Sequence, residues 1–343
     1  MPYYQFIFII LCLTTGGLRA NCDTTCHSHS DAPIGVMGGH LHHQGEWMVS
    51  YRFMDMSMED NYEGSQKLSI AEARAMRPGG GAYMMVPVEM SMSMQMLGVM
   101  YAPNDLNTFM LMFNHLDQKM EVDMMGNRFE TKSRGPGDTS LTWLKALPSQ
   151  KFFSWHFGVG LHLPTGSIGE KDDTPTTGGN LTQLPYPMQL GSGTWDVEPS
   201  LTFLSDLESE KFSWGAQLKG KIRSGNNRQG YTLGDTFGAQ LWTTWKWTGG
   251  LSSSLRIEKQ HWGNIDGTDR DLASSLMMMP TADTSRRRGE RLDMGLGLSL
   301  ARPKGILSGH RFAIEWKGAL HQDLEGPQLG LESSWTFGYR KVF

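Results

Sequence analysis

LESSWTFGYRKVF (331–343) alternates. Leu331, Trp335, Phe337, Tyr339 and Phe343 share one parity, and Glu332, Ser334, Thr336 and Arg340 share the other. Lys341 is the one charge out of step. A period of two means a β-strand with one apolar and one wet face. Such a strand needs partners of the same pattern, so the rest of the chain is the test.

Eleven earlier segments carry the same alternation, making twelve. Glu46–Met58 sets Trp47, Val49, Tyr51 and Phe53 against Met48, Ser50, Arg52 and Met54. The next lie at Met84–Tyr101, Asn107–Leu116 and Asp138–Leu147. Phe153–Leu163 is the cleanest, with Phe153, Trp155, Phe157, Val159 and Leu161 opposing Ser154, His156, Gly158, Gly160 and His162. Residues 195–203 set Trp195, Val197, Leu201 and Phe203 against Asp196, Glu198 and Ser200. Residues 212–223 set Phe212, Trp214, Leu218 and Ile222 against Gln217, Lys219, Lys221 and Arg223. Thr236–Trp247, Leu251–Trp262, 291–300 and 312–321 complete the set.

Most segments have the roughly 9–11 residues that a tilted strand needs to cross a bilayer. Their connections alternate between short (102–106, 148–150, 205–210, 248–250) and long (59–83, 117–137, 164–193, 263–290). Short periplasmic turns and long outer loops give that pattern. A soluble β-sandwich alternates too. Here, however, Lys, Arg, Asp and Glu recur on the polar face, which a water-filled lumen accepts and a closed core does not. The sequence therefore predicts an all-β fold, a twelve-stranded antiparallel transmembrane β-barrel of the bacterial outer membrane. Both termini should be periplasmic, with lipid as the surroundings. The last strand, ending in Phe343, is the expected signal for the barrel assembly machinery.

Composition agrees. Charged residues are 19%, below the roughly 25% of soluble domains, and the 41 Gly of 343 residues exceed the roughly 7% average. The formal net charge of −4 gives no reason to expect nucleic acid as a partner. No run of about 18 apolar residues marks a helical span. Residues 1–20 read as a signal peptide, with an apolar core at Phe6–Leu13 and a cleavage site at Leu18-Arg19-Ala20. Residues 21–43 then form a His/Cys-rich periplasmic segment, and 44–343 the barrel.

Methionine is the second anomaly. Nineteen of the 24 Met precede residue 130. Met54, Met56 and Met58 share the parity of Arg52, and Arg facing mid-bilayer lipid costs roughly 2–4 kcal/mol. That parity should therefore face the lumen. The same logic turns Met92, Met94, Met96, Met110 and Met112 inward. Thioether sulfur suits Cu(I) and similar soft ions, and several weak ligands let an ion enter and leave. Such an ion would be cargo, and no cofactor is required. A flexible apolar track for a small hydrophobic or aromatic solute is the second reading, and adaptable filler is the third. Residues 22–43 add Cys22, Cys26, His27, His29, His40, His42 and His43. Imidazole and thiolate bind copper and zinc, yet a small Cys22–Cys26 disulfide and a solvated His-rich tail explain the residues as well. His40, His42 and His43 are the expected metal-binding residues at the periplasmic mouth.

Enzyme chemistry has little support. Ser154, His156 and His162 share a face without marking a nucleophile. Asp196 and Glu198, facing Lys219, Lys221 and Arg223, read as a luminal charge ladder rather than an acid–base pair. With Arg52, His156 and His162 they are the expected lumen lining. GPGD (135–138), GNNRQG (225–230) and GNIDG (263–267) are turn sequences.

Two stretches, GVMGGHLHHQGEWMVSYRFMDM (35–56) and VEMSMSMQMLGVMYAP (88–103), resemble a family of bacterial outer-membrane barrel proteins. LPTGSI (163–168), LPYPMQLGSGTWD (184–196), HWGNIDG (261–267) and EGPQL (325–329) match the same pattern. Members are assigned as transporters, or by similarity to barrels encoded with phenol meta-cleavage pathways. The resemblance runs from about Pro33 to the end. It implies aromatic catabolism, carries over no catalytic residues and names no substrate.

Overall fold

The computed structural model describes residues 32–148, 153–175, 177–205, 211–247, 250–272, 278–301 and 308–343. The expected signal peptide and Cys22, Cys26, His27 and His29 lie outside the described residues. Eleven extended elements close a ring in chain order. They are β1 (Trp47–Gly64), β2 (Met85–Asn104), β3 (Asn107–Met124), β4 (Thr139–Ala146), β5 (Phe153–Leu163), β6 (Trp195–Ser205), β7 (Phe212–Ser224), β8 (Thr236–Lys246), β9 (Leu251–Trp262), β10 (Gly289–Ala301) and β11 (His310–Val342). All pairings are antiparallel, and β11 closes on β1.

At 33 residues, β11 is too long for one crossing. Its residues up to Leu324 pair with β10, and those from Leu324 onward pair with β1. Val342 N donates to Gly309 O at 3.0 Å. The rings of Phe312 and Tyr339 lie 5.1 Å apart. The Gln322 side chain bonds both the N–H and the C=O of Leu331. β11 is thus a hairpin of two arms. A closed ring in which every neighbour is antiparallel needs an even number of staves. Ten strands and two arms supply the expected twelve.

One parity carries exposed Trp47, Val49, Tyr51, Leu97, Phe109, Phe113, Leu141, Leu201, Leu218, Leu241, Leu296 and Phe337. An apolar face of that size is a lipid-facing band. The opposite parity carries buried His156, Asp196, Gln217, Gln240, Arg256, Asp293 and Glu315. It is the inside.

The third strand differs from expectation. β3 runs to Met124, and Asn127–Pro136 returns along it from Met124↔Asn127 to His115↔Pro136. The expected loop 117–137 is mostly a β-ribbon. Inward positions stay buried there (Gln118, Met120, Val122), while the outward ones become Asp117, Lys119 and Glu121. Loss of exterior apolarity marks the end of the lipid band, not of the strand. Asp55 with Ser93, and Ser57 with Ser91, occupy the same level of β1 and β2.

Candidate functional site: the barrel interior

Strand register stacks the inward residues of β1, β2 and β3 into rungs. From the outer end these are Met58–Met90–Met120, Met56–Met92–Gln118, Met54–Met94–Leu116, Arg52–Met96–Asn114, Ser50–Gly98–Met112 and Met48–Met100–Met110. Every one of the six rungs holds a thioether. Five steps of two residues span about 34 Å at 3.4 Å per residue. The first rung sits in a buried cluster with Met85, Val122, Leu184 and Met188. The last sits in another with Met112 and Leu144, against which Met37 and Leu41 pack. Met48, Met90, Met100 and Met120 belong to these rungs although sequence reasoning did not list them as ligands. Their parity was the available signal.

The facing wall is charged and internally compensated. Glu198 pairs with Lys219 at 3.0 Å, His162 at 3.3 Å and Lys221 at 3.6 Å, and Asp196 pairs with Arg223 at 2.8 Å. Farther round, Arg256 binds Glu315 at 2.5 Å, Glu258 at 2.6 Å and Gln240 at 3.2 Å. Lys317 bridges Glu258 at 3.6 Å and Asp293 at 3.3 Å, and Arg291 also holds Asp293. The chain Gln240, Gln217, Thr202 continues it by hydrogen bonds of 2.7 and 2.9 Å. Sequence reasoning named the first set as lumen lining; of the second, the charges of β10 and of the first arm of β11 fell on the polar faces of segments 291–300 and 312–321, and Arg256 and Glu258 on the inward parity of β9 were not singled out.

A segment of the chain lies between the walls. Residues 32–46 enter from the short-turn end, where the backbone N–H of Gln44 donates to Asp105 at 2.8 Å and that of His42 to Thr108 at 3.1 Å. Deeper in, His156 Nε2 lies 2.7 Å from Gly38 O, and Gln217 Nε2 donates to Met37 O at 3.0 Å. Arg52 donates to Met37 Sδ, and Arg311 to Ala32 O at 3.3 Å. Val36 and Ala32 are buried with Trp242. A Cβ on Gly35 would overlap the Arg256 guanidinium and the Glu315 carboxylate, so only glycine lets the backbone pass the ion pair. Whether residues 21–43 enter the barrel was open from sequence; 32–43 form a plug. At the outer end, Leu184 and Met188 of the β5–β6 loop press on inward-facing Met90 and Met120. That loop dips into the mouth.

The three histidines separate chemically. His40 lies 3.1 Å from Arg340, and burial together with that cation holds its imidazole well below the ordinary range. His42 pairs with Glu46 at 3.2 Å, and exposed His43 with Asp105 at 3.4 Å. The His40 and His42 rings are 5.0 Å apart. Among the described residues no three His, Cys, Asp or Glu are grouped to hold a metal. A soft ion would therefore depend on thioethers.

The family described as "Putative MetA-pathway of phenol degradation" matches residues 96–275, which is 180 of the 343 residues. The chain belongs to this family. The family's barrel has solved counterparts. The COG4313 outer membrane channel from Pseudomonas putida F1 is 14% identical, with a TM-score of 0.63 over 90% of this chain and 100% of that one. The β domain of the Bordetella autotransporter BrkA is 11% identical, with a TM-score of 0.45 over 88% and 100%. The first likeness shows the fold, and the second adds nothing to it. No curated protein matches the chain. The fold places this family member in the outer membrane of Gram-negative bacteria.

Proposed function

We propose that this barrel is an outer-membrane channel that passes a soft metal ion, Cu(I) first among them, along the methionine rungs. The unbroken series of six rungs carries the reading. Neutral thioethers select soft cations, and many weak sites in a row allow entry and release. The facing carboxylates are held in ion pairs, and among the described residues no group of three His, Cys, Asp or Glu offers a hard ion a ligand set. The fourth rung is the slow step, because its single thioether, Met96, stands beside the Arg52 cation. His40, His42 and His43 lie where the ion would leave. The plug lies against the inner wall through Gly38, Met37 and Ala32, so in this reading passage requires the plug to shift. The reading assigns no catalytic step. It has the terminal strand recognised by the barrel assembly machinery.

A second reading is passage of a small hydrophobic or aromatic solute. Its support is the apolar company of both methionine clusters, Leu184 and Val122 above and Leu144 and Leu41 below. The two separate in a Cu(I) competition titration of the refolded barrel, beside a variant with Met54, Met56, Met92, Met94, Met110 and Met112 changed to Leu. Leucine keeps the volume and removes the sulfur. Binding by the parent and not by the variant supports the metal reading. If the folded parent binds no Cu(I), that reading is wrong, and aromatic solutes are tested next.

A further inference from the structure

A cavity of about 210 Å³ lies inside the barrel, between the plug and the inward face of β7, β8 and β9. Gly35 and Met37 of the plug form one side. The other side has a gap in its row of side chains. Gly238 shares the inward parity of buried Gln240 and pairs with Lys219 on one neighbouring strand and Gln260 on the other. A Cβ there would meet only Lys259 O at 3.7 Å and Gln260 Cγ at 3.9 Å, so the missing side chain leaves room. The cavity reaches Thr236 and Trp262, the pair that ends the β8–β9 ladder toward the outer loops. Its volume is many times the roughly 10–15 Å³ that one water needs and below the roughly 300 Å³ at which drug-sized sites begin, which suits a small organic solute.

The carboxylate and two of the amides on the lining are spent as acceptors. Glu258 accepts from Gln260 Nε2 at 2.6 Å on one oxygen, and on the other meets Arg256 at 2.6 Å and Lys317 at 3.6 Å. Gln240 Oε1 accepts from Arg256 at 3.2 Å, and Gln217 Oε1 from Gln240 at 2.7 Å. Donors are left over. Lys219 has three N–H groups and, among the described residues, one partner, Glu198 at 3.0 Å, while 36% of its side chain is exposed. Glu198 is itself shared with Lys221 and His162. Lys219, Lys221 and Arg223 thus stand against Asp196 and Glu198, three cations to two carboxylates. The neighbouring network balances, with Arg256, Arg291 and Lys317 against Glu258, Asp293 and Glu315. The surplus positive charge is therefore on the Lys219 side of the cavity. A cation entering there meets no open carboxylate, whereas an anion meets an ammonium with donors to spare.

We propose that this cavity binds a small carboxylate solute, with its oxygens on Lys219 and its apolar body over Gly238, between Met37 and Trp262. The site goes beyond the metal reading and is independent of it, since no methionine of the six rungs lines the cavity.

The test uses the full-length barrel in a neutral detergent. Trifluorobutyrate is titrated by fluorine NMR line broadening, beside trifluorobutanol as its uncharged counterpart, with protein-free micelles as the blank. Heat-modifiable electrophoretic mobility reports folding. The acid should bind and the alcohol should bind about tenfold more weakly or not at all, the usual scale for a charge-assisted bond. Lys219→Gln should weaken binding of the acid by about tenfold or more, and Lys219→Arg should retain it. Gly238→Leu fills the gap without touching a charge and should remove binding. If one of these variants does not fold, the others decide, and if none folds, the comparison of acid with alcohol on the parent decides. A folded parent that binds no acid, or binds the alcohol as well as the acid, overturns the site. So do folded Lys219→Gln and Gly238→Leu variants that bind as the parent does.

Discussion

Replacing both His156 and Gln217 by leucine should release the plug. These two side chains hold adjacent carbonyls, Gly38 O at 2.7 Å and Met37 O at 3.0 Å. Both are almost inaccessible, at 1% and 2% exposure, so in the docked plug water has little access to replace them. A polar group left without a partner on burial costs about 1–3 kcal/mol. Two such losses would total about 2–6 kcal/mol if independent, but the carbonyls are neighbours and the losses will not simply add. Met37 and Gly38 are themselves half-buried, which favours the low end. About 2 kcal/mol raises the open-to-closed ratio about thirtyfold. Planar-bilayer recording reads that ratio as time spent conducting, with deletion of residues 32–43 as the fully open reference. If the deletion opens the pore and the double variant does not, these bonds do not hold the plug. If the deletion itself leaves conductance unchanged, the plug is not the obstruction.

Gly35→Val should also raise the open ratio, because its side chain would occupy the Arg256–Glu315 contact; unaltered recordings would refute the close approach. Glu315→Gln strands part of the Arg256 charge, and both side chains are nearly inaccessible, at 4% and 2%. Removing one partner of a buried pair costs about 3–5 kcal/mol, and Glu258 at 2.6 Å keeps the loss near the lower figure. The barrel should lose its heat-modifiable mobility at a lower temperature, and no change would count against the network. Plug docking should weaken with acid. Burial and Arg340, with His42, Arg311 and Arg52 around it, depress the His40 pKa in the docked state, so the released plug binds more protons below about pH 6.5. Docking strength is full above that pH and falls as pH drops toward the depressed value. The open ratio should rise from pH 7 to pH 5, and His40→Gln should flatten the rise; an equal rise in the variant would assign the effect elsewhere.

Much of the barrel was legible locally. Lipid on one side of each strand forces apolar residues to every second position, and that constraint leaves its mark within ten residues. Arg52 alone oriented the parity of β1, and Glu198 with Lys219 and Lys221 announced a charged wall. The run of alternation from Trp335 to Phe343 likewise read as a strand before its partners were known. Strand ends were less legible where β3 leaves the lipid, since apolarity stops there and pairing does not.

What the amino-acid sequence by itself determined is therefore the repeating unit: twelve half-apolar strands, their order, and which face of each meets lipid. Only the tertiary structure decided what fills the lumen and which interior residues meet. The contacts of His156 with Gly38 and of Gln217 with Met37 join residues 118 and 180 positions apart. Residues 32–43 have no periodicity to announce them, because a plug docks by shape and by scattered hydrogen bonds rather than by a repeating face. The methionine rungs and the Arg256–Glu315 pair depend on strand register and ring closure, which are properties of the whole barrel and are written in no single strand.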